Sequence, residues 1–232
     1  MQTEKNPFKV FLHQPLTLRR TLLALAVLAA LAALGFGAYR GVSELMLEAR
    51  VRNETPRLLS FLRAQRQTLV AAINDYKAAL GSFPPDHVLG RDPLMVDAVT
   101  NQLLYELTGT VYNPAKQTFT AERFEPVARE MIRKLFGVDD FNNAVAVGTK
   151  PKQFLASSES IGSWEAHDDP DVNVLRPNFY WEGLDEVMVR LEVSPWRYNA
   201  SHPSHNPNGF DLWVEVRAGD QHLVVGNWKE AE

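Results

Sequence analysis

The chain has 232 residues, room for one ordinary domain and an appendage. Lys and Arg total 24 against 28 Asp and Glu, a formal net charge of -4, so the concentrated positive field that a nucleic-acid backbone binder needs is absent. There are no cysteines, which excludes disulfides, thiolate zinc sites, iron–sulfur clusters and a cysteine nucleophile together.

The first element is "PLTLRRTLLALAVLAALAAL", Pro15 to Leu34. From Thr21 to Tyr39 no residue is charged, roughly the 17–25 residues that cross a bilayer core as a helix. Lys5, Lys9, Arg19 and Arg20 precede the run, and the positive-inside rule then keeps the N-terminus in the cytoplasm and the remaining domain outside it. Ala29, Ala33 and Gly37 recur four residues apart, a small-residue stripe of the kind through which membrane helices approach each other closely. "RRTLL" also partly matches a twin-arginine export signal, with Ala30-Leu31-Ala32 as a small-residue cleavage site.

Helical character continues through "GVSELMLEARVRN". Thr55-Pro56 reads either as an N-cap with proline at the first helical position or as a kink in one long helix. Leu58, Leu62, Leu69, Ile73, Tyr76 and Leu80 then keep to one face, while Arg57, Arg63, Arg66 and Lys77 lie mostly off it. Gly81 ends the helix and Pro84-Pro85 prevent its resumption. Further on, "VTNQLLYELTG" and "FEPVAREMIRKLFG" read as short helices closed by Gly109 and Gly137, and "NAVAVG" as a short strand. The polar stretch "SSESIGSWEAHDDPDVNVLRPN" reads as a long surface connection. "VMVRLEV" and "FDLWVEV" alternate apolar and polar residues as half-buried strands do, and "RAGDQ" turns the second into "HLVVGNW" as a hairpin. One face of that sheet needs cover, and the apolar face of the Leu58–Leu80 helix is the candidate.

Three stretches carry a family resemblance. "AAINDYKAALGSFPPD", "GFDLWVEVRAGDQHLVVGNWK" with its final Asn227-Trp228, and the gap-free N-terminal segment together resemble the type IV pilin-like proteins, most closely the major pseudopilins of type II secretion. The resemblance covers about a third of the chain. It implies an α+β fold in which an N-terminal transmembrane helix continues into a long amphipathic helix packed on a small C-terminal antiparallel sheet. The corresponding segments are residues 1–20 in the cytoplasm, 21–39 in the membrane, 40–81 as helical extension, and 82–232 as a periplasmic globular domain. It further implies a structural component of a type II secretion or pilus-like system in the bacterial inner membrane. Its partners would be other pilin-like subunits and the assembly platform. The runner-up is a membrane-anchored or exported periplasmic binding protein of the same fold that does not assemble.

The sequence departs from the family at three places. Pro15 stands where the prepilin peptidase needs glycine before the first mature residue, here Leu16; proline removes a backbone donor and fixes φ. Arg20 occupies the position of a glutamate that the family uses in assembly. The loop before Asn227-Trp228 holds Asp220 as its sole carboxylate, too few oxygens for the calcium that major pseudopilins bind.

No catalytic residue, cofactor or metal is expected. G-x-S-x-G, Walker, G-x-G-x-x-G and H-E-x-x-H patterns are absent. His202 and His205 with Asp211 or His222 are the nearest approach to a two-histidine-one-carboxylate site, and Asp168, Asp169 and Asp171 to a cation loop. Pro203 forbids a helical histidine pair, and Asp-rich turns more often cap backbone amides. Trp164, Trp181, Trp196, Trp213 and Trp228 are expected to be packing residues before a glycan-binding face.

Overall fold

The computed structural model describes residues 18–88, 94–121, 124–155, 161–166, 169–178 and 191–229. Its contacts fall into two units that meet in sequence between Ala49 and Arg50. Helix α1, Leu18–Leu80, supplies the described part of the first unit and the opening of the second. Proline does not divide it. Pro56 lies inside the 63-residue helix, so Thr55 is not an N-cap; its hydroxyl donates back to the Val51 carbonyl at 2.7 Å. One missing i to i-4 bond is tolerated where strong helical sequence continues on both sides.

From Val51 onward α1 has a buried stripe: Val51, Thr55, Leu58, Leu62, Gln65, Leu69, Ala72, Ile73 and Tyr76. These positions recur every three or four residues, as one helical face requires. Burial starts two turns before the expected Leu58 and ends one turn early. Leu80, in the last turn before Gly81 at φ +86° stops the helix, is exposed.

Beyond α1 the described residues form two short helices and ten strands. Helix α2, Leu103–Thr108, closes at Gly109, and its six residues are all buried. A Cβ at Gly109 would lie 2.6 Å from that of Pro151, so only glycine fits. Strands β1 (Thr110–Asn113), β2 (Thr118–Ala121) and β3 (Val127–Ala128) precede helix α3, Arg129–Phe136, which ends in left-handed Gly137. Strand β4, Ala144–Ala146, then pairs parallel with β1, giving a sheet of order β3-β2-β1-β4. Both expected short helices and the strand are present; the mixed sheet that joins them was not anticipated.

The expected surface connection is instead β5 (Ile161–Ala166) paired antiparallel with β6 (Asp169–Pro177). Its acidic residues hid the apolar pattern: Val172, Val174 and Leu175 are all buried. The C-terminal sheet is antiparallel, with β9 (Asp211–Ala218) between β10 (Gln221–Gly226) on one side and β7 (Leu191–Val193) then β8 (Arg197–Asn199) on the other. Its hairpin turn places Gly219 first at φ +59°, which suits a type II′ turn. The remainder of the expected "VMVRLEV" strand, before Leu191, lies outside the described residues.

The break between β7 and β8 has a local cause. Pro195 cannot donate to the ladder, but Ser194 makes both bonds to Glu215. Its amide donates to the Glu215 carbonyl at 2.9 Å and its hydroxyl accepts the Glu215 amide at 3.0 Å. Trp196 then donates its amide to Leu175 of β6 and is fully buried. On the inner face Leu212, Val214, Val216, Ala218, Leu191, Val193, Tyr198 and Val225 are buried. The outer face carries Arg197–Glu215 at 3.0 Å and Arg217–Glu192 at 3.4 Å. Arg66 of α1 donates to the Gly226 carbonyl, tying the helix to the end of β10.

Candidate functional site: the exposed helix and the clamped C-terminal loop

The first unit is where the sequence placed function. α1 contains one stretch long and apolar enough to cross a membrane, and none of that stretch is buried. Leu22, Leu25, Leu28, Leu31, Leu34 and Phe36 are between 58% and 71% exposed, which in water would be costly and in lipid is favourable. Ala29, Ala33 and Gly37 are exposed on successive turns, and a Cβ at Gly37 would meet nothing within 4 Å. Arg19 and Arg20 lie in the first turns of α1. Pro15 and Leu16 lie outside the described residues. At the other end of the charge-free run Arg40 sits over the Phe36 ring, 4.7 Å from its centroid.

The second unit organises its carboxylates as structural clamps. Asp211, 3% exposed, accepts the amides of His205 at 2.9 Å and Asn206 at 3.0 Å, with the His205 ring nitrogen at 3.1 Å. The His205 ring also stacks on Trp228, centroids 3.8 Å apart. At the far end of the same loop Asp86 accepts the amides of Ala200 and Ser201 at 2.8 and 2.7 Å. His202 is exposed, and its amide is held by Asn199. His222 belongs to another contact, 3.4 Å from Glu215. Only His205 meets Asp211, while His202 and His222 are engaged elsewhere, and no group of three metal-ligating side chains occurs among the described residues. Asp168 lies outside them, and Asp169 and Asp171 open strand β6.

Asn227-Trp228, prominent in the sequence, has a physical task. The Asn227 side chain accepts the Leu212 amide at 2.9 Å and donates to the Phe210 carbonyl at 2.8 Å, extending the sheet by side-chain imitation of a strand. Trp228 lies against Gly226, where a Cβ would come within 2.5 Å of the indole. Beside them a cleft of about 470 Å³ is lined by Arg66, Gln67, Val70, Asn74 and Trp228.

One buried group escaped the sequence reading. Glu106 is fully buried in α2, and its carboxylate accepts the Tyr76 hydroxyl at 2.8 Å and the amides of Asn142 and Asn143 at 2.9 Å each. Burial pushes its carboxyl up, and these three hydrogen bonds pull only partly the other way. Burial and the neighbouring carboxylate likewise raise Tyr76, while burial pushes Tyr105 up to about 12. All three partners of Glu106 are donors, so the carboxylate ties α1, α2 and the 142–143 segment together. A lone Glu in an apolar helix, "LLYELTG", was the available signal.

No protein family, curated protein or solved structure matches the chain.

Proposed function

We propose that this chain is a single-pass protein of the bacterial inner membrane, pseudopilin-like, with its globular unit in the periplasm. Its work would be structural, within a type II secretion or type IV pilus-like system. One observation carries the reading. The exposed apolar run and the buried stripe from Val51 to Tyr76 belong to a single helix, and that helix is tied to a C-terminal antiparallel sheet closed by Asn227-Trp228. A membrane-length run that leads without a break in helical sequence into a domain's buried stripe suits a subunit whose partners are other helices and an assembly platform. Arg19 and Arg20 would hold the N-terminus on the cytoplasmic side.

Pro15 and Arg20 favour a fixed accessory or initiating subunit over one that is trimmed and fed into a fibre. An arginine near the cytoplasmic interface can extend its guanidinium to the headgroups instead of pairing with a neighbour's terminus. Intact mass of the protein extracted from membranes tests this. The full-length mass is expected; a mass beginning at Leu16 would restore ordinary peptidase processing, and a soluble form beginning near Ala33 would make the run an export signal.

A further inference from the structure

Beyond the charge-free run, α1 continues through residues that cannot all lie in the bilayer core: Arg40, Glu44, Glu48 and Arg50 are exposed, yet so are Val42 at 53%, Leu45 at 67% and Met46 at 64%. At 3.6 residues per turn these apolar side chains and Ala49 share one face, and Arg40 and Glu44 share the opposite one. Traced back toward the N-terminus, the same face follows an unbroken alternation of four and three residues: Leu28, Leu31, Gly35, Ala38, Val42, Leu45, Ala49. That is a heptad seam with Leu28, Gly35, Val42 and Ala49 at a and Leu31, Ala38 and Leu45 at d. The next d position is Arg52, exposed, so the seam ends where the globular unit begins.

We propose that this seam, and not the Ala29–Ala33–Gly37 stripe, is the site of a parallel self-association of the chain, nucleated in water at Val42, Leu45 and Ala49. The occupant is a second copy for three reasons. Valine at a with leucine at d outside the membrane is the combination that favours two parallel strands. Arg40, Glu44 and Arg50 fall at the outward positions f, c and b, and Glu48, at g beside the seam, would face Asn53 at e of the second copy, so a parallel pair sets no like charges directly opposite. Copies anchored in one membrane with one orientation present identical stripes at identical height, which raises the effective concentration for this pairing over any other. Gly35 and Ala38 allow the backbones to approach below. Ala29, Ala33 and Gly37 fall at b, f and c, and their face continues outward into Arg40 and Glu44.

The inference rests on the membrane-anchored part of the proposed function and on nothing else in it. The chain has no cysteines, so single cysteines can be placed in the full-length protein and oxidised in native membranes. Val42→Cys, Leu45→Cys and Ala49→Cys should give disulfide-linked dimers of twice the chain mass, and Arg40→Cys and Glu44→Cys only background. Adding Leu45→Glu to Val42→Cys should abolish the dimer while the protein stays in the membrane. Cross-linking on the Arg40 face, no cross-linking from membrane-embedded protein, or linkage to a chain of different mass would each overturn the proposal. Release of the protein by carbonate would instead sink the membrane reading itself, a distinct result.

Discussion

At the scale of single residues, Glu106 decides more than its one position suggests. Every group that its carboxylate meets is a donor, and two of the three are backbone amides that cannot reverse. In Glu106→Gln the new NH2 must face Asn142 or Asn143, leaving a buried amide unsatisfied at a cost of about 1–3 kcal/mol. The melting temperature should fall accordingly in a thermal scan. The pH dependence has a definite sign. The folded-state carboxyl is raised above the ordinary 4.5, so the folded state binds the proton more tightly than the unfolded one. The stability due to that proton is fully present below about pH 4.5 and is lost as pH rises through the folded value. Wild type should therefore lose stability as pH rises above about 4.5 relative to Glu106→Gln, which has no proton to release. Parallel melting curves for the two across that range would refute the assignment. Gly109→Ala is a second residue-scale case. Its φ of +76° and the Pro151 contact leave no room for a methyl group, and melting should fall without any change in pH dependence.

Among the elements, α1 from Val51 to Tyr76 is the one whose loss should undo the second unit. Leu69 and Ile73 are fully buried. Leu69→Asp or Ile73→Asp would bury a carboxylate without a partner, a penalty of several kcal/mol against a typical total of about 5–15. Neither variant is expected to show a cooperative melt near the wild-type temperature, while Arg63→Asp, at an exposed position, should. The C-terminal hairpin yields a prediction of independence. Asp220 stands alone in its turn, and Asp211 and Asp86 already accept protein amides. Melts in calcium and in chelator should superimpose; a shift of several degrees would point to ligands near Asp168, Asp169 and Asp171.

For the molecule as a whole, the proposed topology turns on the charges that flank the apolar run. Lys5, Lys9, Arg19 and Arg20 precede the span, but Arg40, Arg50, Arg52 and Arg57 follow it closely. A large domain translocates largely regardless of its own charges, so the arginines after the span weigh less than the four basic residues before it. The periplasmic reading predicts that protease added to spheroplasts removes the globular unit and leaves a protected N-terminal fragment. Protection of the whole chain would place the unit in the cytoplasm and end the pseudopilin-like proposal.

What the amino-acid order determined by itself is what depends on neighbours close in the chain. The membrane-length run, the stripe from Leu58 to Tyr76, the helix ends at Gly81, Gly109 and Gly137, and the β9–β10 hairpin all follow from local periodicity and from residues able to take positive φ. Tertiary structure alone decided three other matters. Thr55-Pro56 continues a helix because one absent hydrogen bond is small beside the burial of Val51 and Leu58 on either side. The acidic β5–β6 stretch forms a strand pair because Val172, Val174 and Leu175 find cover in distant parts of the chain. His205 and Asp211, six residues apart and plausible as ligands, became instead a loop clamp, with the Asp211 carboxylate taken up by the amides of His205 and Asn206 and the His205 ring stacked on Trp228. Periodicity reports which face of an element is apolar; it carries no record of which distant group will satisfy a buried donor or acceptor, and that pairing separated a site from a scaffold here.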